Sequence, residues 1–249
     1  MKQYEALTVF PEMFEPYMSA SILGRARKAG LFDFKAYNLR DWTYDRHHSV
    51  DDTPYGGGQG MLMKPAPIFE AIEAIEQDVG TKPHVVFFTP CGTPYNQREA
   101  ERLVEYDNVL FVCGRYEGMD ERAYSLADEC ISLGDYVLTG GELPAMVVMD
   151  SLIRLIPGAL GDSNSAVDES FSCEGLIEYA QYTRPAVYRG MEVPAILRSG
   201  DHGKVDAWRR RNAIERTAQR RPDMLESANL DEEERKFAQS IVERTGAKD

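Results

Sequence analysis

The chain has 249 residues, of which 43% are hydrophobic and 28% are charged, proportions typical of a globular protein of one large or two small domains. No apolar run approaches the ~20 residues that a membrane span needs, and the N-terminus does not read as a signal peptide. The formal net charge of −13 argues against a protein that binds nucleic acid over its whole surface.

The first two thirds of the chain alternate strand-like and helix-like segments. Apolar, β-branched runs predict strands at 6–10, 33–39, 84–89, 108–114 and 130–138. Helical spacing, supported by a glycine stop, a leading proline and an Asn cap, predicts helices at 12–30, 67–77, 96–106 and 142–157. This alternation indicates an α/β protein with a mainly parallel sheet.

The C-terminal third has a different organisation. Residues 158–172 are small and polar and predict a flexible linker, after which helices are expected at 202–221 and 231–246. We therefore expect a first domain over 1–160, a linker over 161–174 and a small, mainly helical domain over 175–249.

Charge is distributed unevenly between these parts. Residues 1–175 carry 14 basic and 28 acidic groups, whereas residues 176–249 carry 14 basic and 13 acidic groups. Seven basic residues and two acids fall within 204–221. Any contact with nucleic acid should therefore involve the C-terminal part.

The cysteines indicate a reducing compartment. Cys91, Cys113, Cys130 and Cys173 form no C-x-x-C pair, and the histidines show no ligand spacing. Neither a disulfide framework nor a zinc site is expected, so we expect a cytoplasmic protein whose cysteines are buried apolar residues.

Three predicted strands end in glycine-bearing turns: FFTPCGTPYN (87–96), VCGRYEGMDE (112–121) and LGDYVLTGGELP (133–144). Ligands of open α/β sheets bind beyond the carboxyl ends of the strands, so these turns could form one pocket. Both glycine-rich phosphate-binding motifs are absent. Tyr116, Glu117 and Asp135 instead suit a ligand with a positive charge and a ring, although such glycines also serve as plain tight turns.

Several long segments resemble the bacterial tRNA (guanine-N1)-methyltransferase family. They are VDDTPYGGGQGMLM, CGRYEGMDER, LGDYVLTGGELPAMVVMDSLIRLIPGALG, YTRPAVYRGMEVPAILRSGDH and WRRRNAIERTAQRRPDMLE. The resemblance covers nearly the whole chain in order. It implies a SPOUT methyltransferase fold, in which the C-terminal strand and helix of an α/β sheet thread through a loop as a deep trefoil knot, a topology that chains normally avoid.

The resemblance also implies an activity. Members act as homodimers that bind S-adenosyl-L-methionine in the knot and methylate N1 of tRNA guanosine 37 when another guanosine precedes it. The expected partners are thus tRNA and a second copy, with neither DNA nor a membrane. The family is reported to need Mg²⁺, but no carboxylate cluster here identifies a dedicated metal site.

By similarity, the donor-binding residues belong to the three glycine-bearing turns. They are Phe88, Thr89, Pro90, Gly114, Tyr116, Glu117, Leu133, Gly134, Asp135, Tyr136, Val137, Leu138, Gly140, Gly141 and Pro144.

Two kinds of catalytic group follow from the resemblance. Arg154 matches the family's arginine, which meets charge developing on the guanine O6, and it is the only basic residue in the apolar run 143–160. The family has an aspartate directly before Ser-Phe as general base. Here Glu169 holds that place and Asp168 precedes it, so both candidates stay open.

Candidate tRNA contacts lie in both domains. Arg209, Arg216 and Arg220 share one face of a predicted helix and are candidates for phosphate contacts. Asp51, in the glycine-rich segment 47–65, is a candidate for reading guanine, because carboxylates accept hydrogen bonds from base amines. The alternatives are a different SPOUT enzyme acting on ribosomal RNA or a ribose 2′-hydroxyl, and a non-catalytic RNA-binding relative.

Overall fold

A computed structural model of the chain describes residues 1–161, 169–171 and 175–246. The chain divides into two compact units, Met1–Asp162 and Ser163–Asp249. Most of the predicted linker 161–174 lies outside the described residues. None of the helices in the described ranges is both long enough and apolar enough to cross a membrane.

The first unit is built on a parallel sheet. Its strands in chain order are β1 (Lys2–Thr8), β2 (Phe32–Asn38), β3 (Asp51–Asp52), β4 (Leu62–Met63), β5 (His84–Pro94), β6 (Asn108–Val112) and β7 (Glu129–Ser132), and the second unit contains a hairpin of β8 (Val187–Tyr188) and β9 (Met191–Glu192). Five of them form the sheet in the order β2-β1-β6-β5-β7, and every neighbouring pair is parallel. The predicted α/β class with a parallel sheet is confirmed.

Helices cover both faces of this sheet. In the first unit they are α1 (Glu15–Met18), α2 (Ser21–Lys28), α3 (Pro65–Val79), α4 (Gln97–Leu103) and α5 (Glu142–Ile153), whereas α6 (His202–Arg220) and α7 (Glu232–Gly246) belong to the second unit. Apolar residues of α2, α4 and α5 join one hydrophobic core, and those of α3 join a second. The two cores fix the sheet between helical layers, which leaves the carboxyl ends of its strands for a ligand.

The single helix predicted over 12–30 is wrong. Ala20 is extended, with φ −93° and ψ 154°, and it separates α1 from α2. The helical spacing of the sequence continued across this break because Met18, Leu23 and Ala26 all enter the same core. The predicted glycine stop is correct, since Gly30 follows α2 with a φ of 72°.

Two strands leave the sheet differently from the prediction. The strand predicted over 130–138 ends at Ser132, and Gly134 has a φ of 146°, which a side-chain-bearing residue in a strand rarely adopts. β5 continues to Pro94, but its pairing with β7 shifts register between Phe88 and Thr93. At both irregularities the chain leaves the regular pairing of the sheet near the carboxyl ends of the strands.

The second unit has its own small core. Its buried members include Leu176 from the segment before β8, Ile214 and Ala218 from α6, and Ile241 from α7. α7 begins at a reciprocal cap: Glu234 N–H donates to Asp231 Oδ1 at 2.8 Å, and Asp231 N–H donates to Glu234 Oε2 at 3.1 Å.

Candidate active site

The carboxyl ends of β5, β6 and β7 surround a cavity of about 330 Å³. Its lining comes from the carboxyl-terminal parts of these strands and the turns after them, residues 88–90, 114–119, 131–134 and 136–141, together with Tyr124, and with Pro144 of α5. The position matches the usual place of ligands in open parallel sheets. Three turns far apart in the chain therefore contribute to one concave surface.

Most of the residues predicted to bind a donor line this cavity. They are Phe88, Thr89, Pro90, Gly114, Tyr116, Glu117, Leu133, Gly134, Tyr136, Val137, Leu138, Gly140, Gly141 and Pro144. Asp135 is exposed and is not among the lining residues. The lining also includes residues that the sequence analysis did not name: Arg115, Gly118, Met119, Tyr124, Ile131, Ser132 and Thr139.

Gly141 joins the second and third of these turns through backbone contacts. Its N–H donates to Gly114 O at 2.8 Å. A Cβ atom at Gly141 would lie 2.7 Å from Cys113 Cα and 2.9 Å from Gly114 N, closer than real side chains come. Glycine is required here by the close approach of two chains.

A buried polar network lies directly behind this wall. Glu142, at the start of α5, is fully buried, and Thr8 Oγ1 donates to its Oε1 at 2.7 Å. Arg115 Nε forms an ion pair with Glu142 Oε2 at 2.9 Å, although the two atoms are not aligned as a hydrogen bond. Arg115 also donates from Nη1 to Thr139 O at 3.3 Å, so the network reaches the cavity wall.

This network was missed by the sequence analysis because its members are far apart in the chain. The usable signal was an acid at the start of an otherwise apolar helix, which needs a partner when it is buried. The same environment affects Cys113, whose thiol pKa is raised well above its ordinary value by burial and by the nearby Glu142. Cys113 is therefore protonated, as expected for a buried structural cysteine, whereas the prediction of burial is wrong for Cys91, which is exposed.

The mouth of the cavity is apolar and exposed. Val137 is 92% exposed and Tyr136 is 58% exposed, although both are large apolar or aromatic residues. Tyr116 has a φ of 62°, an uncommon conformation for a tyrosine that is often found at functional sites. Exposed apolar groups at the rim of a cavity favour the binding of a ligand with a ring.

The charges of the lining do not favour an anion. Its basic residue, Arg115, is neutralised by Glu142, whereas the acidic Glu117 also faces the cavity. A cationic ligand fits this arrangement better than a phosphate. Across the ranges that the structure describes, no group of three or more His, Cys, Asp or Glu side chains is arranged to hold a metal ion.

The glycine-rich segment is attached to the second turn of the cavity. Asp51 of β3 pairs with Met63 of β4, whose N–H donates to Gly118 O at 2.9 Å. Glu117 N–H donates to Met61 O at 3.0 Å. Asp51, the candidate for reading guanine, is thus connected to the cavity lining through Met63, whose backbone contacts Gly118.

Neither of the catalytic candidates that the structure describes, Arg154 and Glu169, is among the residues that line the cavity. Arg154 is the C-cap of α5 and is half-buried, and its N–H donates to Asp150 O at 3.2 Å. Glu169 is half-buried and belongs to the second unit. Asp168 lies outside the described residues.

The three arginines predicted to contact phosphates have different environments on α6. Arg209 lies over the Tyr179 ring, with Cζ 5.0 Å from the ring centroid. Arg216 donates from Nε to Glu178 O at 3.0 Å. Arg220 is exposed. Two of the three therefore also pack against the segment that precedes the hairpin.

Comparison with known proteins connects this geometry to a family. The model of the family described as tRNA (guanine-1)-methyltransferase TrmD matches residues 1–227. The chain belongs to this tRNA methyltransferase family. The match includes all three turns around the cavity and extends through α6 into the second unit.

Curated relatives named tRNA (guanine-N(1)-)-methyltransferase are similar over nearly their full length. The protein of Brevibacillus brevis is 51% identical over 94% of this chain and 95% of its own. That of Persephonella marina is 48% identical over 96% of this chain and 94% of its own. That of Dictyoglomus turgidum is 47% identical over 97% of each chain.

Proposed function

We propose that this chain transfers a methyl group from S-adenosyl-L-methionine to N1 of guanosine 37 in tRNA, when a guanosine precedes it. Family membership and the names of the relatives support the reaction. The observation that carries the proposal is the cavity at the carboxyl edge of the sheet, whose three turns contain the family-like motifs. The SPOUT knot, in which a strand and helix thread through a loop, is part of the same proposal.

The cavity fits the donor by its chemistry. Gly140 and Gly141 give backbone access, Tyr136 and Leu138 offer apolar surface for a ring, and Glu117 offers a negative charge. The other lining residues named by resemblance belong to the same proposed donor site. When bound, S-adenosyl-L-methionine supplies an electrophilic methyl carbon on a positively charged sulfonium.

A carboxylate from the segment after the first unit is the proposed general base. Guanine N1 carries a proton that must be removed as the new bond to carbon forms, and a positioned base typically contributes ~10²–10⁴-fold. Asp168 and Glu169 are both proposed for this role. The resemblance favours Glu169 by position and Asp168 by residue type.

Arg154 is proposed to stabilise the negative charge that develops on guanine O6. It ends α5, whereas Gly141 precedes the same helix and lines the cavity. At 1.5 Å per residue, the thirteen-residue separation places these positions about 20 Å apart. This separation supports the proposal that Arg154 and the cavity of the same protomer do not act on the same base.

A homodimer resolves this separation, and we propose that each active site takes Arg154 from the partner of the chain that provides the cavity. The exposed side of α5 supports a second copy there. Leu143 and Val147, one helical turn apart, are 52% and 53% exposed. Both would be buried by a second copy packing along α5.

The tRNA is proposed to contact both units. Asp51 would accept from guanine amino groups at the end of the glycine-rich segment. Arg209, Arg216 and Arg220 of α6 would contact phosphates, with Arg220 the most accessible of the three. If Arg209→Ala leaves the salt dependence of tRNA binding unchanged, the phosphate role of this face is contradicted.

One assay tests the reaction. Donor binding is measured by calorimetry, and methylation is measured on a tRNA transcript with guanosines at positions 36 and 37 and on a second transcript without guanosine 36. The expected product is N1-methylguanosine from the first transcript only. A 2′-O-methylated product would favour a different SPOUT reaction, and donor binding without any methylated product would favour a non-catalytic role.

A further inference from the structure

A small hairpin in the second unit presents apolar side chains to solvent. In it Val187 pairs with Glu192 and Tyr188 pairs with Met191. Arg189 and Gly190 form its turn with φ angles of 50° and 78°. Positive φ at both turn residues is the arrangement of a type I′ hairpin, whose twist matches that of its strands.

The exposed surface of this hairpin is large for its size. Tyr188 is 56% exposed, Met191 is 66% exposed and Val187 is 50% exposed. The Arg189 guanidinium lies over the Tyr188 ring, with Cζ 5.3 Å from the ring centroid. An aromatic face and a planar cation are therefore held side by side at the tip of the hairpin.

Further aromatic and basic groups belong to the same unit. The Tyr182 ring, also half exposed, lies 6.4 Å from the Trp208 ring. Residues 182–221 contain ten basic and four acidic residues, a net charge of +6 in a chain whose total is −13. Aromatic rings within a basic surface are typical of proteins that bind single-stranded nucleic acid.

We propose that the β8–β9 hairpin binds unpaired RNA, with the Tyr188 ring stacking on an exposed base and Arg189 interacting with the same base or an adjacent phosphate. The proposal rests on the proposed function, because that function supplies an RNA partner with a single-stranded loop. It adds a contact beyond the target guanosine and the arginines of α6. The partner is recognised by base stacking rather than by base-edge hydrogen bonds, so little sequence preference is expected.

A second copy of the chain is a poorer occupant of this surface. A stable protein interface usually buries about 800 Å² per partner, which a hairpin of two-residue strands cannot provide alone. The exposed apolar residues Leu143 and Val147 of α5 are the surface already proposed for a second copy. The net charge of +6 over residues 182–221, the segment that contains the hairpin, instead complements an RNA backbone.

The test measures affinity of the full-length protein for three probes: a tRNA transcript with guanosines 36 and 37, a fully base-paired RNA of the same length, and S-adenosyl-L-methionine. Tyr188→Ala is expected to weaken tRNA binding about tenfold or more. Its affinities for paired RNA and for the donor are expected to stay as in the wild type. Tyr188→Phe and Tyr188→Trp keep a ring and are expected to retain tRNA affinity.

A matched variant isolates the cation. Arg189→Asn places Asn-Gly in the turn, a favoured type I′ sequence, so the hairpin should persist without the charge. The slope of the logarithm of tRNA affinity against the logarithm of salt concentration is expected to decrease by about 1, the amount that corresponds to one phosphate contact.

The outcomes separate this proposal from the proposed function. Wild-type tRNA affinity in Tyr188→Ala overturns it. A second result would also overturn it. If Tyr188→Ala sediments more as a monomer than the wild type does, and its remaining dimers keep wild-type affinity for tRNA, the hairpin is a protein interface. If the wild type makes no methylated product while Tyr188→Ala still loses affinity for the tRNA transcript but not for paired RNA, the function fails and the hairpin assignment stands.

Discussion

Arg115 Nε lies 2.9 Å from Glu142 Oε2 immediately behind the cavity wall, and the side chain of Glu142 is 1% exposed. The guanidinium of Arg115 also holds Thr139 O in the third turn of the lining. A buried carboxylate thus fixes the arginine that connects two walls of the proposed donor site. The pair couples the stability of the fold to the shape of the cavity.

Replacing Glu142 by glutamine should destabilise the protein and weaken donor binding. The amide can still accept from Thr8, but Arg115 loses its buried counter-charge. Removal of one member of a buried pair costs about 3–5 kcal/mol, and a value near the lower end is expected because Arg115 is partly exposed. Urea unfolding with and without donor measures both effects.

Asp107→Asn is the control, since its ion pair with Lys2 is at the surface and should contribute less than ~1 kcal/mol. Equal effects of the two variants would contradict the coupling.

Alanine at Gly141 and at Gly140 should have different consequences. A Cβ atom at Gly141 meets the backbone of Cys113 and Gly114, so the walls must separate, and we expect a loss of about 1–3 kcal/mol in unfolding free energy together with weaker donor binding. At Gly140 the new Cβ meets side-chain atoms of Arg115 and Glu142 rather than backbone, so the pair would have to rearrange but the walls would not separate. Gly140→Ala should therefore weaken donor binding more than it lowers stability. Calorimetry and thermal unfolding of both variants test this, and a larger stability loss at Gly140 would contradict it.

The two linker acids should differ as bases. Glu169→Gln and Asp168→Asn are expected to differ at least tenfold in single-turnover methylation rate, because only one carboxylate can occupy the position beside guanine N1. Donor affinity should be the same in both variants. Equal and near-native rates would exclude both residues as the general base.

Mixing two inactive variants should restore activity. Arg154→Ala keeps an intact cavity, and Gly141→Ala keeps an intact arginine. If the arginine acts across the dimer interface, a mixed dimer contains one complete site, and random re-association should recover about a quarter of the wild-type rate. Each variant alone, treated in the same way, is the control. Absence of recovery in dimers shown to be mixed would place Arg154 and the cavity in the same protomer.

Glu5 should make stability depend on pH. Its side chain lies in β1 and is almost completely buried, with Oε2 lacking a hydrogen-bond partner. Burial raises its pKa from 4.5 to about 7, an effect opposed by Lys35 and increased by Asp33 and Asp78. The folded state thus binds the proton more tightly than the unfolded state, so this group lowers stability progressively as pH rises from about 4.5 to 7.

The isosteric variant Glu5→Gln tests this effect. Relative to the wild type, its unfolding free energy should be nearly unchanged at pH 4.5 and higher by up to about 3 kcal/mol at pH 8. Urea unfolding at several pH values measures the difference. A difference that is independent of pH would contradict the raised pKa of Glu5.

Local sequence patterns predicted the parts of the fold that are determined by residues close together in the chain. The buried strands β5 and β6 were visible as uninterrupted apolar runs, and the start of α4 was visible from its Asn96 cap. The gap between α1 and α2 was not visible, because the apolar spacing continues through it. A break that keeps both helices in one core leaves the pattern of a single helix.

The turns around the cavity were identifiable, but their interactions were not. Glycines at the ends of strands indicated a ligand site, whereas the partnership of Thr8 with Glu142 joins residues 134 positions apart. No periodicity reports such a contact. The same holds for Gly141, whose need to be glycine arises from the approach of Cys113 and Gly114 rather than from its own backbone angles.

All the cavity-lining residues fall within the single tract 88–144, whereas the hydroxyl that stabilises their buried acid comes from the first strand. Transplanting that tract into another α/β protein would transfer every wall of the cavity and yet leave Glu142 Oε1 without its donor. A chimera built from this region should therefore work only in a recipient that carries serine or threonine at the position equivalent to Thr8. The smallest set of residues that would transfer the site intact is therefore the tract 88–144 together with the hydroxyl of Thr8.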